Sequence, residues 1–262
     1  MKPTVLNTGP ERLSRSIKKT SPIIITLTLL VLLWGILSYG LNIREIFLPQ
    51  PHQALIALVA MFGTTSLWKD IWASWFRVLI AFFLSFAISY PLVLLALIND
   101  KIKESLFFVV EFFRYLPIPV FIPLTILWFG VGDWGKIMIV FLGTFAQMIP
   151  MYYDSSLLLE KSYQAFPFAL KWNRSDYVKN ITIPGSAPFI LDNSRICFGW
   201  AWTYLIIAEL LGAENGIGYA IIRAQRVLAT DRIFAYILLI GLLGIISDRI
   251  LVAIRKNAFK WA

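Results

Sequence analysis

The chain has 262 residues, 58% hydrophobic and 15% charged, with a mean hydropathy of +0.73 and a formal net charge of +9. So much apolar side chain cannot be buried in one soluble core of this length, which excludes an ordinary soluble domain and implies an all-α membrane protein. The excess charge does not imply nucleic acid. Lys2, Arg12, Arg15, Lys18 and Lys19 precede the first apolar run and Arg255, Lys256 and Lys260 follow the last, the pattern of cytoplasmic flanks.

In chain order, residues 1–21 form a polar, basic N-terminal segment, and 22–262 read as a single transmembrane domain. The first apolar run, 22–40, just crosses a hydrocarbon core of about 30 Å at about 1.5 Å per residue. It has no small-residue cleavage signature, so it reads as a retained span. Pro49 and Pro51 interrupt the next stretch, and residues 53–62 read as a short interfacial helix with His52, the only histidine, at its start. The second span covers 68–98, with Trp68, Trp72 and Trp75 as an interfacial belt. The polar run NDKIKE, 99–104, returns the chain to a charged surface.

A third span is expected at 106–129, a tight turn at GVGDWGK, and a fourth span at 136–159. The longest polar segment, 160–188, comes next. The fifth span covers 189–211, a glycine-bearing connection follows, and the sixth covers 235–253. Six spans place both termini on one side, together with Lys161, Lys171, Arg174 and Lys179 of the long loop. Arg223, Arg226 and Arg232 then fall on the opposite face. The one cysteine, Cys197, excludes an internal disulfide and a multi-cysteine metal site, and reads as a small core residue.

Charges within spans are expensive and face an interior, a partner or a cavity. Glu111 and Arg114 are three residues apart, as are Asp192 and Arg195, so each pair can meet along a helix. Either arginine could instead line a path for an anion. Pro117, Pro119 and Pro123 crowd one apolar stretch, where an interior proline costs roughly 3 kcal/mol. They read as a pathway-lining or gating segment. In the long loop, Tyr163, Phe166, Phe168, Leu170 and Trp172 are too apolar for a free linker. A short helix near 174–180 completes a surface fit for a soluble partner or for the lipid face.

Five stretches carry a family resemblance. They are LPQP at 48–51, Arg77-Val-Leu, RYLPIPVFIPLTILWFGVG at 114–132, AELLGAENGIGYAI at 208–221, and the last span with its closing pair Asp248-Arg249. In this order they resemble the permease subunits of binding-protein-dependent ABC importers, in the nitrate, sulfonate, taurine and bicarbonate branch. The resemblance covers residues 48–251 and implies a type I importer permease fold in the inner membrane.

It further implies a second permease chain, identical or different, a cytoplasmic ABC ATPase dimer, and a periplasmic or lipid-anchored solute-binding protein. ATP and Mg would be held by the ATPase partner, because this chain shows no P-loop; no cofactor and no catalytic residue is expected in it. The solute would be small and anionic or zwitterionic. The pathway and gating residues would be Arg114, Pro117, Pro119, Pro123, Trp128, Arg195, Trp202 and Glu209. Contact with the ATPase would involve Ala165, Phe166, Pro167, Phe168, Lys171, Trp172, Asn173 and Asp176.

This loop departs from the family's usual pattern. Ala165, Phe166 and Pro167 stand where Glu-Ala-Ala is usual, and Lys171 stands in place of the glycine; Ile183-Pro184 matches the pattern's end. From the residues alone, an ATP-independent channel or secondary transporter, or a non-transporting scaffold subunit, stays open beside the importer.

Overall fold

A computed structural model describes residues 10–41, 43–162 and 172–261. Among the described residues the chain forms ten α-helices and no strand. They are α1 (Pro10–Gly35), α2 (Pro51–Phe62), α3 (Thr65–Ile98), α4 (Asp100–Tyr115), α5 (Ile122–Phe129), α6 (Asp133–Ser162), α7 (Arg174–Tyr177), α8 (Ile183–Gly212), α9 (Ile217–Arg226) and α10 (Thr230–Ala258).

Local chemistry sets several boundaries. Pro51 opens α2, where its missing N–H costs nothing, and the Gln50 and Gln53 side chains cap each other's backbone N–H. His52 lies in that first turn and meets the Tyr39 hydroxyl at 2.6 Å. Asn99 caps α4 by accepting from the Lys101 and Ile102 N–H groups. The polar run NDKIKE is therefore the capped start of a helix, with Asn99, Asp100, Lys101 and Glu104 exposed. Pro184 occupies the first turn of α8, and the preceding π-turn Val178–Thr182 leads directly into it.

The largest difference from expectation lies at 106–129, which is not one continuous helix. Leu116 takes an extended conformation (φ −80°, ψ 129°) because Pro117 disfavours the helical one before it. After a short 3₁₀ turn, Ile118–Phe121, α5 leaves at 95° to α4. Pro119 sits at the start of the 3₁₀ turn and Pro123 at the start of α5, positions that need no N–H. The prolines thus avoid the cost of an interior proline by ending one helix and opening two others.

The core is the packing of α3, α6 and α8. Val78, Ala81, Met148, Ile149, Ala201 and Leu205 are fully buried there. Small residues let the backbones approach, and short polar side chains bind across. Ser85 meets Thr144 at 2.6 Å, Tyr152 meets Ser194 at 2.6 Å, and Asn193 donates to the Met151 carbonyl at 2.8 Å. Cys197 is buried in this core. By contrast, α1 is peripheral: Trp34 donates to the Pro49 carbonyl at 3.0 Å and stacks on Phe234, while Leu27 to Leu33 stay exposed.

Among the described residues, three helices are long and apolar enough to cross a membrane: Thr65–Ile98, Asp133–Leu158 and Thr230–Ala258; the bent α4–α5 pair would make a fourth. The two further spans of the sequence count fall short for visible reasons. The apolar part of the first, Ile24–Gly40, is short. The fifth, α8, has the length, but Asp192, Asn193, Ser194 and Arg195 sit inside it.

At one end of the bundle, α8 and α10 are tied by charges. Arg195 Nε donates to Asp248 at 2.9 Å and its Nη1 to Asp192 at 3.3 Å, while Arg255 Nε donates to Asp192 at 2.8 Å. The Asp192–Arg195 pair expected from its spacing thus forms within a larger set. These side chains are partly exposed, where each pair contributes about 0.2–1 kcal/mol. Asp192→Ala, which removes two pairs, is expected to cost about 1 kcal/mol and lower the melting midpoint in detergent by roughly 3 °C.

Candidate functional site

At the other end of the bundle lies a buried ionic clasp. Asp70, Ser74 and Arg77 follow the i, i+4, i+7 spacing that aligns side chains on one helix face, and all three are buried on α3. Arg77, 2% exposed, donates from Nη1 to Glu209 of α8 at 2.6 Å and to the Asn215 carbonyl at 3.0 Å. Its Nη2 reaches the Asn215 side-chain oxygen, and its Nε donates to Asp133, at the start of α6, at 2.8 Å. A guanidinium suits this position because its fixed fork serves several acceptors at once.

Glu209, 0% exposed, accepts from Arg77, from Ser74 at 2.8 Å and from the Gly218 N–H at 2.9 Å. Asp70 accepts from the Gly216 N–H at 2.9 Å and from Arg223 at 2.9 Å, and Ser74 accepts from the Ile217 N–H at 2.9 Å. Three successive backbone N–H groups at the start of α9 are thus satisfied by side chains of α3 and α8. Nearby, Lys136 Nζ donates to the Val131 and Gly132 carbonyls at 2.6 and 3.2 Å. The clasp joins α3, α6, α8 and the α8–α9 turn, so any opening at this end must break it or move all four together.

A second feature forms at the α4–α5 break. Arg114, Pro117 and Ile118 from the break, Gly143, Ala146 and Gln147 from α6, and Tyr204 from α8 line a cavity of about 210 Å³. Tyr204 lies so close to α6 that a Cβ at Gly143 would stand 2.5 Å from its ring. Pro117, Pro119, Pro123 and Trp128 are exposed on the outside of the break. The expected Glu111–Arg114 pair does not form. Arg114 is exposed, borders the cavity and has no hydrogen-bond or ion-pair partner among the described residues.

The two arginines singled out in the sequence therefore differ. Arg195 is held by two aspartates at the opposite end from the clasp, whereas Arg114 has no partner among the described residues. Glu209 belongs to the clasp. Trp202 is buried against Trp75, with ring centroids 5.6 Å apart, and its indole N–H finds no acceptor among the described residues.

Of the residues expected at the ATPase contact, Ala165, Phe166, Pro167, Phe168 and Lys171 lie outside the described residues. Trp172 and Asp176 are half-buried and Asn173 is exposed. Asn173 caps α7 by accepting from the Asp176 N–H at 2.8 Å, and Arg174 meets Asp100 at 3.0 Å. This pins the returning arm of the loop to the start of α4.

Sequence reasoning missed most of the clasp. Arg77 was noticed only as a mark of family likeness, and Asp70, Ser74, Asp133, Asn215 and Arg223 not at all as a site. The 70/74/77 spacing was the available signal, a polar stripe on a span otherwise apolar. No group of three or more metal-ligating side chains occurs among the described residues.

Residues 92–260 match the family described as "Binding-protein-dependent transport system inner membrane component". The taurine transport system permease protein TauC of Escherichia coli is 29% identical over 245 residues, covering 90% of this chain and 88% of that protein. A probable ABC transporter permease protein of Brucella melitensis is 31% identical over 216 residues, covering 82% and 88%. The putative aliphatic sulfonates transport permease protein SsuC of Bacillus subtilis is 25% identical over 238 residues, covering 88% and 84%.

Among solved structures, an inward-facing MetNI methionine ABC transporter has a chain that superposes with a TM-score of 0.60 at 18% identity. The match covers 71% of this chain and 95% of that one. A chain of a bacterial ABC transporter for alginate import superposes with a TM-score of 0.53 at 14% identity, over 94% and 99%. Both share the fold, a type I importer permease. The helices, the order of the motifs and these matches together show that this chain belongs to the binding-protein-dependent transport system inner membrane component family, as the membrane permease subunit of an ABC importer that works with an ATPase and a solute-binding protein.

Proposed function

We propose that this subunit pairs with a second permease chain, identical or different, to carry a small sulfonate-type anion or zwitterion inward by alternating access. The observation that carries the substrate class is Arg114. It is the cation at the α4–α5 break, it borders a cavity, and no described residue neutralises it. Relatives named for taurine and for aliphatic sulfonates support the same chemistry. Nitrate and bicarbonate are the other small anions compatible with one free guanidinium.

In this reading the chain crosses the membrane six times, with both termini and residues 160–188 in the cytoplasm and the Arg77 clasp near the outer surface. The bent α4–α5 segment counts as the third crossing and α8 as the fifth, its polar residues turned to α10 and α6 instead of lipid. ATP and Mg are bound by the ATPase pair. Its closure acts on this chain through the 160–188 loop, of which Trp172, Asn173 and Asp176 form the returning arm. The missing Glu-Ala-Ala and glycine leave aromatic contacts as the main grip.

The test begins with co-purification from membranes that also hold the neighbouring ATPase and binding protein, using a tag on this subunit. The complex is then placed in proteoliposomes with ATP inside and the binding protein outside. The expected result is uptake of labelled taurine or a short alkanesulfonate that requires both ATP and the binding protein. Uptake without ATP would support a channel, and no co-purifying ATPase would support a scaffold. Trp172→Ala is expected to reduce the co-purified ATPase several-fold, with the permease itself still folded.

A further inference from the structure

We infer that the cavity at the α4–α5 break holds the anionic head of the transported solute, through the Arg114 guanidinium, the Gln147 amide and the Tyr204 hydroxyl. The inference rests on the small-anion reading above and assigns it a place in the fold. Three separate elements supply these groups: the last turn of α4, the middle of α6 and the outer half of α8.

None of the three has a hydrogen-bond or ion-pair partner among the described residues, whereas Ser85, Thr144, Tyr152, Ser194 and Asn193 bind across the interfaces of α3, α6 and α8. Arg114 is exposed and Gln147 and Tyr204 are half-buried, so all three keep donors open to whatever enters the cavity, and polar side chains within a membrane domain usually face such an interior path. The remaining wall is apolar, including Phe113, Leu116 and Ile118. A mostly apolar pocket with a few convergent polar groups is the usual form of a small-molecule site.

The polarity of the lining selects the ligand. Arg114 offers only donors, Gln147 offers two, Tyr204 offers one, and no carboxylate lines the cavity. A cation would find no charged acceptor here. A tetrahedral oxyanion can give two oxygens to the guanidinium fork and its third to the amide or the phenol. The volume, about 210 Å³, suits a solute of few heavy atoms and excludes a sugar chain or a peptide.

The backbone around the cavity is built to create it. Pro117 stops α4 so that Arg114 closes one side, and Gly143, Ala146 and Gln147 share one face of α6 at i, i+3, i+4 spacing. Glycine at 143 is required, since any side chain there would displace the Tyr204 ring. Irregular backbone inside a membrane domain is tolerated where it lines such a cavity.

The test uses the full reconstituted complex with labelled taurine. Uptake and binding-protein-stimulated ATP hydrolysis are measured together for Arg114→Gln, Gln147→Glu, Tyr204→Phe and Arg114→Lys. The expected result is at least a tenfold loss of taurine imported per ATP for Arg114→Gln and Gln147→Glu, and a several-fold loss for Tyr204→Phe. Stimulated hydrolysis stays within about twofold of the parent, and Arg114→Lys recovers part of the uptake, since it restores charge without the fork.

Tyr204→Phe removes a single oxygen and carries the test if a charge-changing variant fails to assemble. Unchanged uptake in these variants would overturn the inference. So would a parallel fall of uptake and hydrolysis in Tyr204→Phe, which would mark a packing role. If the parent complex imports neither taurine, an alkanesulfonate nor nitrate, the substrate reading itself fails and this assignment falls with it.

Discussion

Arg77→Met is expected to be the most damaging single substitution in the chain. It strips the guanidinium from Glu209, which is fully buried, and leaves a carboxylate held only by Ser74 and the Gly218 N–H. Removing one partner of a buried ion pair costs about 3–5 kcal/mol, because the remaining charge keeps its desolvation penalty without its compensation. Against a typical stability of about 5–15 kcal/mol that is a large fraction. The melting midpoint of the purified subunit in mild detergent should fall by roughly 10 °C or more.

A second substitution distinguishes electrostatics from packing. Arg77→Met combined with Glu209→Met removes both charges and restores apolar volume, and should recover part of the loss. Recovery will be incomplete, because Asp133 and Asn215 also lose their donor. A single Arg77→Met that melts within about 2 °C of the parent would show that the clasp contributes little to stability.

Gly216→Ala is expected to be nearly as severe, for two reasons that add. Gly216 has φ +111°, a conformation that costs a residue with a Cβ about 1–3 kcal/mol. A Cβ there would also stand 2.4 Å from Glu209 Oε1, and that carboxylate cannot retreat because Arg77, Ser74 and Gly218 hold it. A loss of about 3 kcal/mol or more follows, and any backbone shift that relieves the clash also stretches the residue-216 N–H bond to Asp70.

Gly130 supplies the comparison. It also has positive φ, +76°, but nothing lies within 4 Å of its would-be Cβ. Gly130→Ala should therefore show the backbone term alone, about 1–3 kcal/mol. Equal melting midpoints for the two variants would mean that the crowding at Glu209 relaxes freely and that the clasp is softer than its hydrogen bonds indicate.

The clasp also bears on transport. It joins the starts of α3 and α6 to the end of α8, so in the proposed orientation it keeps the outer ends together while motion occurs elsewhere. The break between α4 and α5 is held less firmly than the clasp. Pro117, Pro119 and Val120 are exposed, and no side chain of the 3₁₀ turn Ile118–Phe121 is fully buried. In the proposed function, the clamped end and the less firmly held break, which carries Arg114, are the two places that alternating access would use.

Much of this protein was legible in its sequence because hydropathy, charge flanks and motif order are local properties of the chain. The apolar runs specified an all-α membrane protein, and the order of five motifs identified the family. The cluster of prolines marked an unusual stretch inside the expected third span. Its geometry was another matter: a proline costs about 3 kcal/mol inside a helix and almost nothing at its first turn, and only the backbone shows which applies.

The number of crossings stayed open for the same kind of reason. α8 carries Asp192 and Arg195 within its length, and these become tolerable only because α10 presents Asp248 and Arg255 to them. Partner choice was decided by tertiary structure throughout. Arg77 and Glu209 are 132 residues apart, and no periodicity connects them. Arg114 and Arg195 looked alike in sequence, yet packing gave Arg195 two aspartates and left Arg114 beside an open cavity. The sequence by itself determined that this chain spans a membrane as a permease subunit. The tertiary structure decided which of its charges pair to hold the fold and left the exposed Arg114 without a partner among the described residues, because an ion pair is defined by where two helices meet and not by what either one contains.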